Sequence, residues 1–205
     1  MASNNYIYKM SNAGGMSTIT RYTDMLAGNT TWNPFTPAGA YESIATITSP
    51  AATSITFSSI PSTYTHLQIR GIANNGESSG YNNQSMRFNG DTAANYAVHY
   101  LAGNGTSASA SAQTSGTSIN DVFRIPPTGS TFGAFVIDIL DYTSTTKTKT
   151  VRSLNGGDSN GSGWMGLHSG LWYKTPEAIT SITLISSVGN FGTNSQFALY
   201  GIRGN

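Results

Sequence analysis

Beyond residue 40, apolar and polar residues alternate in short runs. Ile55-Thr56-Phe57, Leu67-Gln68-Ile69 and Ile182-Thr183-Leu184 each set two apolar side chains on one face of an extended segment and a polar one on the other. Phe135, Ile137 and Ile139 share a face whose reverse carries Val136, Asp138 and Leu140, so this run predicts a sheet with one buried side. Further strands are predicted over 41–48, 85–88, 96–101, 119–125, 148–154, 166–173 and 197–202. Turns are predicted at Asn74-Asn75-Gly76, Asn89-Gly90-Asp91 and Asn155-Gly156-Gly157-Asp158, where Asn, Asp and Gly suit tight reversals. About ten short strands at this spacing, with no strand–helix alternation, predict an all-β fold, an antiparallel β-sandwich or jelly roll. The Ser-, Ala-, Thr- and Gly-rich segment 103–116 has no apolar periodicity and is expected to be a long loop between strands.

The texture differs before Pro34-Phe35-Thr36-Pro37. Residues 17–27 read as a mildly helical, Met-containing stretch that Gly28-Asn29 would cap. The chain is therefore expected to divide into an N-terminal arm, 1–37, and a sandwich domain, 38–205. The arm is too short to bury a core of its own. Its apolar side chains, Tyr6, Ile7, Tyr8, Met16, Ile19 and Met25, are expected to contact another protein.

Composition narrows the function. Charged residues are 9% of the chain and the formal balance is +1, which argues against a nucleic-acid partner, since neutralising phosphates needs a basic stripe. The chain holds no cysteine, so it has no disulfide, thiolate metal site or catalytic thiol. Neither a bilayer-length apolar run nor a charged-then-apolar leader is seen, so a soluble protein made in a cell's cytoplasm is expected, with no membrane partner.

Candidate chemistry is sparse. Of nine acids, Asp91 and Asp158 lie in Gly/Asn turns and Glu42, Glu77 and Glu177 adjoin turn residues. Alternation sets Asp138 and Asp141 on opposite faces, so a carboxylate pair for glycoside hydrolysis is not expected. His66, His99 and His168 are scattered without ligand spacing, and no metal or cofactor is expected. The serines lack a nucleophile elbow. Asn12-Ala13-Gly14-Gly15 follows no predicted strand and has no P-loop lysine, so it reads as a turn. No catalytic residue is therefore assigned. Trp164, Trp172 and Tyr173, with Tyr81, Tyr96 and Tyr100, are the candidates for stacking on a sugar ring, beside the amide-rich Asn82-Asn83 and Asn160-Gly161 loops.

Two stretches carry a resemblance. Tyr8-Lys9-Met10-Ser11-Asn12-Ala13-Gly14-Gly15, with Thr20-Arg21-Tyr22-Thr23-Asp24-Met25-Leu26-Ala27-Gly28-Asn29, resembles an opening found in virion-associated proteins of tailed bacteriophages, especially aquatic ones. Tyr41-Glu42-Ser43-Ile44-Ala45, the run from Phe57 to Arg70, Ile137-Asp138-Ile139-Leu140-Asp141-Tyr142 and Phe197-Ala198-Leu199-Tyr200-Gly201 are similar to domains of the same group. The resemblance implies a structural virion component, of tail-fibre or capsid-decoration type, held to other virion proteins by its arm and associated as a homotrimer, as such parts commonly are. A host-surface glycan-binding module is the alternative.

Overall fold

The computed structural model describes residues 6–10, 16–21, 40–77, 80–127 and 129–204. The chain divides into two compact units, Met1–Gly39 and Ala40–Asn205, at the Ala38-Gly39-Ala40 segment that follows the two prolines.

In the first unit, β1 (Tyr6–Met10) and β2 (Met16–Arg21) pair antiparallel, Tyr6 opposite Arg21 and Met10 opposite Met16. This corrects the helical expectation for 17–21. Thr18, Ile19 and Thr20 are β-branched and stiff at χ1, which favours extended chain over helix. A strand also precedes Asn12-Ala13-Gly14-Gly15, contrary to the sequence reading. Of the arm residues singled out, Tyr6, Ile7 and Tyr8 fall on β1 and Met16 and Ile19 on β2, whereas Met25 lies outside the described residues.

The second unit is all-β. Its strands are β3 (Tyr41–Thr48), β4 (Ser54–Phe57), β5 (His66–Ala73), β6 (Asn82–Phe88), β7 (Tyr96–Gly103), β8 (Ala108–Gly116), β9 (Ile119–Ile125), β10 (Gly133–Leu140), β11 (Lys149–Asp158), β12 (Gly163–Trp172), β13 (Ile182–Ser186) and β14 (Gln196–Ile202). They form two antiparallel sheets packed together as a β-sandwich. One has eight strands, ordered β3-β14-β5-β10-β11-β12-β7-β8, and the other four, ordered β4-β13-β6-β9.

Alternation supplies the core. Leu67 and Ile69, Phe135, Ile137 and Ile139, and Phe197 and Leu199 face inward from the large sheet; Ile55, Phe57, Met86, Phe88, Phe123, Ile182 and Leu184 meet them from the small one. Phe123 stacks on Phe135 across the sheets at 3.9 Å between ring centroids. Each such ring or branched chain stabilises the fold by about 1.5–3 kcal/mol when withdrawn from water.

Two segments depart from the sequence reading. Residues 108–116, expected as loop, form β8, which pairs with β7 from Tyr96 opposite Gly116 to Gly103 opposite Ala108. Its Ala and Ser side chains are exposed on both faces, so burial leaves no imprint and backbone pairing alone makes it a strand. The expected turn at Asn155-Gly156-Gly157-Asp158 is the end of β11, paired with β12 as far as Asp158 opposite Gly163; the reversal comes later, at 159–162.

Candidate functional site

The outer face of the eight-stranded sheet gathers residues far apart in sequence. Strand register sets them in three rows. Gln68, Asp138, Arg152, Ser169, His99 and Ala112 stand opposite one another in the first, crossing β5, β10, β11, β12, β7 and β8. Two residues along, Arg70, Val136, Leu154, Leu167, Leu101 and Ala110 make the second. The third is Ile72, Ala134, Gly156, Met165, Gly103 and Ala108. Leu101, Leu154, Leu167 and Met165 leave 54%, 52%, 48% and 57% of their surface open, which is unusual for four large apolar side chains grouped together.

The relief of this face follows from its rows. The leucines of the second row form a ridge, and the glycines of the third leave a trough beside it. A groove of about 790 Å3 is lined by Gly103, Ala134, Gly156 and Met165 on the strands, and by Asn104, Thr106, Phe132, Asp158 and Ser162 around them. A second hollow of about 600 Å3 lies at the first and second rows, among His99, Leu101, Ala110, Ala112, Arg152, Leu167 and Ser169. Charges in the first row are satisfied internally: the Asp138 carboxylate accepts from Gln68 Nε2 at 2.7 Å and from Arg152 at 3.3 Å. Asn104 Oδ1 accepts from the Thr106 and Ser107 amides, and Asp158 Oδ1 from the Asn160 amide, so these polar groups brace their own turns.

The aromatic candidates are not brought together. Trp164, the second residue of β12, lines the larger groove, with the Arg124 guanidinium 3.7 Å above its ring. Trp172 and Tyr173 lie eight and nine residues further along, roughly 26 Å away at the rise of a strand. Trp172 is 2% exposed, packed between Phe88 and Tyr96, and its indole N–H donates to Asp91 Oδ2 at 2.7 Å. This corrects its reading as a sugar platform, because the core occupies its ring. Tyr173 is part-exposed and donates to the Ala94 carbonyl at 2.5 Å. Tyr96 is buried, which pushes its phenol up to about 12, and Tyr81 bonds Ser159 Oγ at 3.0 Å.

A buried polar cluster, missed in the sequence, lies between the sheets beside Trp164. β9 advances four residues from Ile119 to Phe123 while β6 advances two from Gln84 to Met86, a bulge in which Asp121 adopts φ 54°. The bulge aims Asp121 inward, where it takes Arg124 in a fork at 2.6–3.1 Å. Asp121 Oδ1 is 3.8 Å from His168 Nε2, while His168 Nδ1 is 3.2 Å from both Ser153 Oγ and Asn155 Nδ2. Serine, histidine and aspartate thus adjoin as in an acyl-transfer site, but Ser153 gives its proton to the Val122 carbonyl and all three are buried. The arrangement ties the two sheets together. A bulge and two turn-like residues, Asp121 and Asn155, left no motif by which to find it.

Burial pushes the His168 imidazole below its ordinary value; the Asp121 carboxylate opposes this and Arg124 adds to it. The unfolded chain therefore binds the proton first. Stability carried by neutral His168 is complete above its ordinary value of 6.5 and is lost as the pH falls toward the lowered folded value. Urea midpoints are expected to fall between about pH 6.5 and 5, before most carboxylates titrate, and His168→Gln is expected to flatten that slope. Equal slopes in the two proteins would refute this assignment.

Comparison with known family models, curated proteins and solved structures finds no match.

Proposed function

We propose that the chain is a structural component of a tailed-phage virion, a tail fibre, appendage or capsid-decoration protein held by its N-terminal arm to other virion proteins and acting without catalysis. The observation that supports this best is the apolar outer face of the large sheet, where four large side chains lie open. Such a face suits packing against protein. The separate unit Met1–Gly39 is consistent with an arm, and the phage resemblance supplies the setting, including three-fold association.

The test is incorporation into particles. Full-length tagged chain, wild type or carrying Tyr6→Ser, Ile7→Ser and Tyr8→Ser together, is supplied during infection and virions are banded by density. The wild type is expected in the particle band and the triple variant at least about tenfold depleted, the loss expected when a few anchor side chains carry a contact. Wild-type protein that stays wholly outside particles would refute the virion reading.

Trp164 beside the larger groove favours a second reading, glycan binding, in which its indole and the neighbouring Asp158 meet a sugar. Retention on immobilised host polysaccharide, lost in Trp164→Ala, would support that reading instead.

A further inference from the structure

We infer that the outer face of the eight-stranded sheet is a self-docking surface, on which a second copy of this chain packs face to face about a two-fold axis running along the rows. This goes beyond the virion reading and stands on the sheet alone.

The relief is self-complementary. A two-fold axis between the second and third rows keeps each strand facing its own counterpart and exchanges the rows. Leu154 then faces the partner's Gly156, Leu101 faces the partner's Gly103, and Leu167 meets the partner's Met165. Ridge enters trough on β11 and β7, and between them on β12 the two large side chains pack on each other. Glycine weakens a strand and marks close approach of another chain. Nothing inside this molecule demands it here: a Cβ on Gly103 would come no nearer than 3.8 Å to any atom, and on Gly156 no nearer than 3.5 Å. The space above both is the groove already described.

Charge and area agree with this. The same axis carries the first row of each copy to opposite rims, so Asp138 and Arg152 do not meet their equals; Arg70, at the β5 end of the second row, faces the partner's Ile72, and the centre between them is apolar, the anatomy of a protein interface. The three rows, six strands at roughly 4.8 Å spacing over five residues at roughly 3.3 Å, present about 475 Å2 per copy. A pair would bury about 950 Å2, the size of a weak, reversible interface.

Sedimentation equilibrium of the full-length chain tests the inference. The wild type is expected to dimerise with a Kd of about 1–100 µM, in keeping with a small interface. Leu154→Lys and Leu167→Lys are each expected to weaken it about tenfold or more, because a central apolar anchor is replaced by a charge. Gly103→Val fills the trough without disturbing the fold, and is expected to do the same with an unchanged circular dichroism spectrum. Val188→Lys, an exposed apolar position outside the strands, is expected to leave dimerisation intact. A wild type that stays monomeric to about 200 µM, well above that range, would overturn the inference, as would a trimer indifferent to these substitutions. So would association that survives both lysines but is lost with Ser111→Pro, which would place the contact at the edge of β8. None of these outcomes depends on whether the chain enters particles.

Discussion

Trp172→Ala is expected to cost about 3–5 kcal/mol of folding stability, a large part of the roughly 5–15 kcal/mol that a typical domain possesses. The indole is among the largest fully buried side chains, its ring centroid 5.4 Å from Phe88 and 6.2 Å from Tyr96, to which it lies nearly parallel. Its N–H also holds Asp91, whose carboxylate receives Asn95 Nδ2 and the Ala93 amide. Burial pulls that carboxyl up, yet these three donors outweigh it and hold it below its ordinary value. Trp172→Phe keeps most of the packing and removes one donor, so it is expected to cost less, about 1–3 kcal/mol. Urea unfolding measures both. A surface sugar platform would behave oppositely, with Trp172→Ala near neutral in stability and lost glycan retention.

Much of the sandwich is legible in the sequence because alternation and burial coincide. β3 and β9 match the predicted ranges, and Phe135, Ile137 and Ile139 on β10 are buried while Ala134 and Leu140 are exposed. Where burial does not alternate, the signal fails. β8 is Ala and Ser on both exposed faces, and the end of β11 is Asn and Gly held by β12, so both read as loop or turn. The apolar outer face was hidden for another reason. Leu101, Leu154 and Leu167 become neighbours only through the registers of β7, β11 and β12, and each alone is an unremarkable strand residue. Trp172 reads as a surface aromatic because its burial depends on the sheet opposite and is invisible along its own strand.

Removing the Asp121 carboxylate is expected to produce the second large loss, about 3–5 kcal/mol for Asp121→Ala, because breaking a buried pair costs far more than the pair contributes. The Asp121 side chain is 7% exposed and that of Arg124 21%, and the guanidinium is held between the carboxylate fork and the Trp164 ring. Burial alone would pull the guanidinium down, but Asp121 more than offsets it and keeps the cation firmly charged. Without Asp121 that charge stays half-buried and unpaired, and His168 loses the carboxylate that favours its protonated form. Asp121→Asn separates charge from shape, since asparagine tolerates the left-handed backbone of the bulge as readily as aspartate. A loss in Asp121→Asn approaching that of Asp121→Ala would assign the cost to the charge, whereas a small one would assign it to the bulge. Adding Arg124→Met to Asp121→Ala removes the stranded cation as well, and is expected to recover part of the stability, giving a favourable coupling in the double-mutant cycle. Simple additivity of the two substitutions, measured by urea unfolding at pH 7, would show that the fork is not what joins the sheets beside Trp164.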